Sequence, residues 1–287
     1  MMAFHMDSIS YSTTGFLDRN LDAALDAIAA AGFTQAEILG QEPHLAEIPK
    51  GQALRGFCSS LHSRGFSGLT VHAPMGHNVL GAPEEDWRRE KVEVLAGYLR
   101  FAGAIGASAV VIHPVPNPCF VSDPDAPDLP EQMRQATEQS LDDLILVAEE
   151  AGVRILLENL PYDCLYPFLN MTELRKLVDP YPADALGLLI DTGHAWTAKR
   201  DPAIEILAAG PRLWGTHLQD VDHDNPRDDH WVPTLGDLDW DAIRFALAQV
   251  GYAGAWTFEA SRSRYGETQE EMARISRKVA ESWGLCP

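Results

Sequence analysis

Six apolar segments of the chain end in a side chain able to bind a metal or move a proton. LTVHAP carries His72, AVVIHP His113, RILLENL Glu158, GLLIDTGH Asp191, LWGTHLQD His217 and AWTFEAS Glu259. Brought together, Glu158, Asp191, His217 and Glu259 would form a hard, oxygen-rich site with a single imidazole. Such a donor set suits Mn²⁺, Mg²⁺ or Co²⁺ with open water positions better than a closed zinc site built on thiolates, although Zn²⁺ stays in the range; Mn²⁺ is the leading expectation. His72 and His113, taken singly, read equally well as buried caps or ion-pair partners. A second group follows. His194 stands three residues after Asp191, and the stretch DVDHDNPRDDHWVPTLGDLDW carries Asp220, His223, Asp228 and His230. His72, His113, His194, Asp228 and His230 are candidates for a second ion or for substrate contacts; a solvated, Asp-rich loop is the competing reading of the last two.

Residues so far apart in the chain converge only if regular elements deliver them. Short runs of Val, Ile, Leu and Phe alternate with longer amphipathic stretches throughout, the pattern of parallel strands joined by helical crossovers. Eight strands are predicted at 4–12, 34–39, 68–72, 108–113, 153–158, 185–191, 212–218 and 253–260, and the clearest helices at 18–31, 84–104, 131–151, 239–250 and 267–284. Gly32, Gly106, Gly152 and Gly251 mark four helix-to-strand joints, where glycine readily takes the left-handed conformation that ends a helix. The expectation is an α/β fold, a single-domain (β/α)8 TIM barrel over residues 1–287, with the active site at the C-terminal ends of the strands. Strand parity agrees: if Glu158, Asp191 and Glu259 point inward, so do Leu156, Leu189 and Thr257, leaving Ile155, Leu157, Leu188, Ile190, Trp256 and Phe258 for the helices. Residues 114–130 hold six prolines and read as a long loop after the fourth strand, either a substrate wall or a solvated excursion.

Charge and cysteine content narrow the partners. The 287 residues include 22 Lys+Arg against 42 Asp+Glu, a formal charge of −20, which argues against nucleic acid or an anionic membrane as a general partner. The N-terminus lacks a basic region followed by an apolar one, and no apolar run reaches transmembrane length. The four cysteines, Cys58, Cys119, Cys164 and Cys286, are too widely spaced for a Cys-x-x-Cys motif. A reduced, cytoplasmic protein is the expectation.

With these motifs in place, VHAP (71–74), VVIHP (110–114), LLENL (156–160), LIDTGHAW (189–196), THLQD (216–220), DDHWVPTLGDLDW (228–240) and TFEA (257–260), the chain resembles the xylose isomerase-like TIM barrel superfamily. The likeness is to its sugar phosphate isomerase/epimerase branch and spans nearly the whole chain. It implies that one divalent ion is held at Glu158, Asp191, His217 and Glu259, and that Glu158 and Glu259 exchange a proton with the substrate carbon from opposite sides. The endonuclease-four-type apurinic endonucleases of the same superfamily hold three zinc ions. Their ligand pattern falls on His72, His113, Glu158, Asp191, His194, His217, Asp228, His230 and Glu259. All nine ligand types are present, but cleavage of a nucleic acid calls for a cationic surface, and the loop after strand four adds Asp123, Asp125 and Asp128.

The chemistry also follows from the residues. A C–H beside a ketone is a weak acid until a metal on the carbonyl and neighbouring hydroxyl stabilises the enediolate. One carboxylate then removes the proton. Its return to the other face gives epimerisation, and its return to the next carbon gives aldose–ketose isomerisation. The leading expectation is therefore a metal-dependent isomerase or epimerase of a small sugar, ketose or polyol derivative. The alternatives are a metal-dependent lyase or dehydratase on a keto-sugar, an endonuclease-four-like apurinic endonuclease, and a non-catalytic metal or sugar sensor. Trp196 and Trp231 are candidates for stacking on a sugar face, with ordinary packing as the competing role. Arg227, Arg262 and Arg264 either bind a substrate anion or neutralise nearby acids. A homo-oligomer formed through the catalytic-face loops is the partner arrangement left open.

Overall fold

The computed structural model describes residues 9–76 and 78–285. Eight parallel strands close into a barrel in chain order. They are β1 (Ile9–Ser12), β2 (Gln35–Leu39), β3 (Gly68–His72), β4 (Ala109–Ile112), β5 (Arg154–Glu158), β6 (Leu186–Asp191), β7 (Leu213–Leu218) and β8 (Trp256–Phe258). The seam is β8 against β1, with Ile9 opposite Trp256 and Tyr11 opposite Phe258. This is the expected (β/α)8 barrel. Each strand falls inside its predicted range; positions 4–8 of the first range, like Cys286, lie outside the described residues.

The helices are α1 (Leu21–Ala30), α2 (Gly51–Ser63), α3 (Glu85–Ile105), α4 (Leu129–Ala151), α5 (Met171–Val178), α6 (Thr192–Thr197), α7 (Pro202–Ala209), α8 (Trp240–Gln249) and α9 (Gln269–Ser282). Gly106 and Gly152 end α3 and α4 in the left-handed conformation, at φ 76° and 67°. A reciprocal capping box of Thr268 and Glu271 opens α9. Four helices, α2, α5, α6 and α7, do not stand out in the sequence pattern. GQALRGFCSSLHS has two Gly and three Ser, all poor helix formers, and buries only Leu61, so α2 lacks a strong apolar stripe. α5 and α7 have only eight residues each and α6 six, too few to show a helical period in the sequence. The loop expected over 114–130 is corrected at both ends of its proline run: Pro118–Phe120 makes one 3₁₀ turn, and α4 already begins at Leu129. Pro130 fits there because first-turn N–H groups have no intrahelical acceptor to lose.

Two apolar layers hold the barrel. Outward residues Ile155, Leu157, Leu188, Ile190, Trp256 and Phe258 belong to the main core between strands and helices. Each such side chain contributes roughly 1.5–3 kcal/mol on burial. Trp283, just past α9, packs on both outward residues of β8, with ring centroids 6.0 Å from Trp256 and 5.9 Å from Phe258. Inside the barrel, Leu156 and Leu189 join Ala109 and Val111 in a separate small cluster. The inward and outward sets match the strand parity. They also put a dry floor beneath the strand ends of β4, β5 and β6, where Glu158 and Asp191 stand.

Candidate active site

Parallel strands in register bring their C-terminal residues to one level. Asp191 of β6 lies directly opposite His217 of β7, and Glu158 of β5 opposite Leu189. Glu259 follows β8, and its backbone N–H donates to the Leu218 carbonyl, extending the ladder by one residue. The result is a buried group of four, Glu158, Asp191, His217 and Glu259, whose potential ligand atoms all lie within 4.8 Å of one another. Each of the four is at most 3% exposed.

Glu158 sits among imidazoles. His217 Nδ1 is 3.0 Å from its Oε1 and His194 Nδ1 3.3 Å, while His72 Nε2 and His113 Nε2 are each 3.3 Å from Oε2. Burial alone would raise its carboxyl group; the imidazoles of His217, His113 and His194 outweigh that and hold it well below the usual carboxylate range. Glu259 goes the other way. Burial raises it, and His217 and His230 compensate only in part. Burial likewise raises Asp191 against the pull of His194. On His217, burial opposes protonation, but Glu259, Glu37 and Glu158 overcome it and lift the imidazole well above its ordinary value.

The neighbouring residues are held by hydrogen bonds that fix backbone as well as side chain. The Asn159 amide accepts from the Asp191 N–H at 2.8 Å and donates to the Asp191 carbonyl at 3.0 Å, clamping β5 to β6 beyond the ladder. Asp191 Oδ1 caps the short helix α6 by accepting from the His194 N–H at 2.7 Å. His72 turns Nδ1 to the Ala73 carbonyl at 2.8 Å, leaving Nε2 toward Glu158.

The second group stands beside the first. His194, Asp228 and His230 form a potential ligand set, with Asp228 Oδ1 3.3 Å from His194 Nε2 and 3.0 Å from His230 Nε2. These two imidazoles overcome the burial that would raise Asp228 and hold it far below the carboxylate range; Asp228 in turn lifts His230, against its burial, to about 9. Exposure rises here, to 41% for the Asp228 side chain and 16% for His230, so the mouth of the site opens on this side. Asp220 organises the loop that carries them. Its carboxylate accepts from the backbone N–H groups of Val221, Thr234 and Leu238 and from the Trp240 indole. His223, on the same loop, is exposed and pairs with Asp224.

The remaining candidates surround the site. The Trp196 indole donates to the His223 carbonyl, packs on the His223 ring at 4.7 Å, and borders a small cavity with Pro202, Leu238 and Ile243. Arg227 is exposed, and its carbonyl accepts from Thr197. Trp231 pairs with Asp220 in an isolated bridge and lies under the Arg264 guanidinium, 4.5 Å from the ring centre. Arg262 donates to the Asp228 carbonyl at 3.0 Å, and Arg264 to the Leu235 carbonyl and Asp237. Trp196, Arg262 and Arg264 thus brace the loops through their side chains, whereas Arg227 meets Thr197 only through its backbone.

Three residues of the site escape the strand-end pattern. Glu37 lies inside β2, Gln219 just past β7 and Asn159 just past β5. Glu37 Oε1 is 2.9 Å from His217 Nε2. The Gln219 amide nitrogen donates to both Asp191 Oδ2 and Asp228 Oδ1, at 3.2 and 3.1 Å, and its oxygen accepts from the His230 N–H. Polar residues in apolar strand contexts were the available signal; ILLEN and THLQD carry it for Asn159 and Gln219.

A divalent cation fits this donor set. Glu158 Oε2 is buried and, although His72 Nε2 and His113 Nε2 each stand 3.3 Å away, neither makes a well-aligned hydrogen bond to it; three buried carboxylates and an imidazole converge at this point.

Comparison with known proteins agrees with the fold. Residues 25–283 match the xylose isomerase-like TIM barrel family. An uncharacterized protein of Sinorhizobium fredii is 33% identical over 185 residues, which take in 63% of this chain and 56% of the relative's length. A solved D-tagatose 3-epimerase-like protein has a TM-score of 0.79 at 20% identity, with 96% of each chain covered. The D-psicose 3-epimerase of Clostridium cellulolyticum, solved with D-tagatose, has a TM-score of 0.77 at 16% identity, covering 98% of this chain and 100% of that one. At these identities the two structures share the barrel with this chain.

Proposed function

The chain belongs to the xylose isomerase-like TIM barrel family, and on that premise we propose that it is a divalent-metal-dependent isomerase or epimerase of a small sugar, ketose or polyol derivative. The observation that carries this reading is the buried group in which two glutamates, Glu158 and Glu259, share one locus with Asp191 and His217. A solved D-psicose 3-epimerase and a D-tagatose 3-epimerase-like protein with the same barrel support it. Glu158, Asp191, His217 and Glu259 would hold the ion, with Mn²⁺ the first choice. When bound, it would withdraw charge from a ketose carbonyl and the adjacent hydroxyl, which makes the neighbouring C–H more acidic.

The protein's own groups then handle the proton. Glu158 and Glu259 are the acid/base pair, one taking the proton and the other returning it. Return to the opposite face inverts the carbon; return to the adjacent carbon moves the carbonyl. His194, between Glu158 and Asp228, is placed to contact a substrate oxygen. The apolar floor of Val111, Leu156 and Leu189 would limit water beneath the reacting carbon. The three cysteines among the described residues are free, which supports a reducing, cytoplasmic setting. None of the described helices is long and apolar enough to cross a membrane.

One observation favours a second reading. His72, His113, His194, Asp228 and His230 complete the nine-residue set of endonuclease-four-like apurinic endonucleases, and the formal charge of −20 weighs against a DNA substrate. A panel of ketoses and keto-sugars incubated with Mn²⁺-loaded protein in deuterated water and followed by NMR, with abasic duplex DNA assayed in parallel for incision, tests both. Deuterium entering one carbon of a sugar with inversion or carbonyl migration is expected. Loss of a leaving group instead would reassign the protein as a lyase, and incision of abasic duplex DNA without sugar exchange would overturn the proposal.

A further inference from the structure

Glu37 is a buried carboxylate in the wall of the barrel, 1% exposed. Barrel interiors are ordinarily filled by branched apolar side chains, and β4, β5 and β6 follow that rule with Ala109, Val111, Leu156 and Leu189. A carboxylate in such a place carries a desolvation cost that only specific partners offset. Both oxygens of Glu37 have one. Thr70 Oγ1, on the neighbouring strand β3, donates to Oε2 at 3.1 Å, and His217 Nε2 lies 2.9 Å from Oε1.

The His217 ring is thereby sorted into two ends. Nε2 faces Glu37. Nδ1 faces Glu158 Oε1 at 3.0 Å and Glu259 Oε2 at 3.2 Å, the two carboxylates of the candidate ion site. With an ion bound, an imidazole ligand offers one nitrogen lone pair and keeps its proton on the other nitrogen. Only the Nε2–H form satisfies Glu37 and leaves Nδ1 free. Carboxylates that accept from a ligating imidazole fix its tautomer and ring orientation and raise its basicity, and their loss typically costs about 10–100-fold in metal affinity.

We infer that Glu37 is a positioning residue: braced by Thr70, it accepts the Nε2–H of His217 and so turns Nδ1 of that ring into the ligand of the divalent ion. The inference rests on the metal-dependent reading of the site. It separates Glu37 from the acid/base pair, since Glu37 acts through His217 and not on substrate.

Calorimetric titration of Mn²⁺ into stripped wild-type protein, Glu37→Leu and Glu37→Gln tests it. Glu37→Leu is expected to weaken Mn²⁺ binding about 10–100-fold, and Glu37→Gln less, because an amide oxygen still accepts from Nε2–H. The thermal midpoint of metal-free Glu37→Gln should stay close to that of the wild type, since the amide still partners His217 Nε2 and Thr70 Oγ1; a glutamate needed only for the fold would lower it and leave Mn²⁺ affinity unchanged. Long-range ¹H–¹⁵N spectra of Mg²⁺-loaded protein should show His217 as the Nε2–H tautomer in the wild type and a mixture in Glu37→Leu. Wild-type binding with Mn²⁺ affinity unchanged within twofold in both variants overturns the role of Glu37 alone. A wild type that takes up no Mn²⁺ overturns the metal reading together with it. Should Glu37→Leu fail to fold, Glu37→Gln carries the same comparison.

Discussion

The two groups of candidate ligands are held in different ways. Glu158, Asp191, His217 and Glu259 stand at the ends of consecutive barrel positions, fully buried over a dry floor of Leu156 and Leu189. Their spacing is set by the sheet ladder. Asp228 and His230 stand on the connection between β7 and β8, more open to solvent, and His230 has a left-handed backbone at φ 50°. Their spacing is set by one buried carboxylate, Asp220, and by the Gln219 amide. A ladder resists displacement through many interactions at once, whereas a loop held from two points opens at lower free energy. The strand-borne group is thus suited to chemistry that tolerates little error, and the loop-borne group to gripping and releasing a ligand at the mouth.

The sharpest way to break this comparison is at the proposed acid/base pair. Glu158→Gln and Glu259→Gln should each lower kcat/KM by roughly 10³-fold or more, read as loss of substrate deuterium exchange. Removal of the ion with a chelator should have a similar effect, reversed by Mn²⁺. Asp228→Asn and His230→Ala come next, with an expected fall of about 10–100-fold and Mn²⁺ binding by the strand-borne group retained. If the loop variants abolished exchange and Mn²⁺ binding as completely as the glutamate variants, the two groups would form one centre and the distinction would collapse.

Asp220 tests the loop through stability. It accepts four hydrogen bonds, from three backbone N–H groups and one indole. Asp220→Ala leaves these donors without their acceptor and should destabilise the protein by about 2–3 kcal/mol, measured by denaturant unfolding. Hydrogen exchange should quicken over 221–238 while the strand amides stay protected. Uniform loss of protection would mean that Asp220 supports the barrel as a whole.

The strand-borne group was legible in the sequence and the loop-borne supports were not, for the same physical reason. A strand alternates with period two and ends where its apolar run ends, so Glu158, Asp191, His217 and Glu259 each announce both their element and their direction. Glu37 breaks that rule. It lies in the middle of QAEIL, where Gln35 and Glu37 alternate with Ala36 and Ile38 and read as the outer face of a half-buried strand, and its partner His217 is 180 positions away. The roles of Asp220 and Gln219 likewise depend on backbone groups that the loop presents only once folded. Helix α2 stayed hidden because its Gly- and Ser-rich sequence has little intrinsic preference for helix and it fully buries only Leu61, with Leu54 and Phe57 partly packed on the core.

Gln219 is the smallest and most discriminating test, because it touches both groups. Its amide nitrogen faces two carboxylates, Asp191 Oδ2 and Asp228 Oδ1, and its oxygen faces the His230 N–H. The side chain also fits tightly: a Cβ added at Gly193 would stand 2.3 Å from its Oε1. Gln219→Met keeps the length of the side chain and deletes the hydrogen bonds, each worth about 1 kcal/mol, so an activity loss of roughly 3–10-fold is expected. Gln219→Glu keeps the size but sets a third carboxylate between two, and should be worse than Gln219→Met. If the residue served only to fill space, the two variants would fall equally. A larger loss in Gln219→Glu, relieved as added Mn²⁺ offsets the extra negative charge, would locate the link between the strand-borne group and the loop-borne one in a single neutral amide.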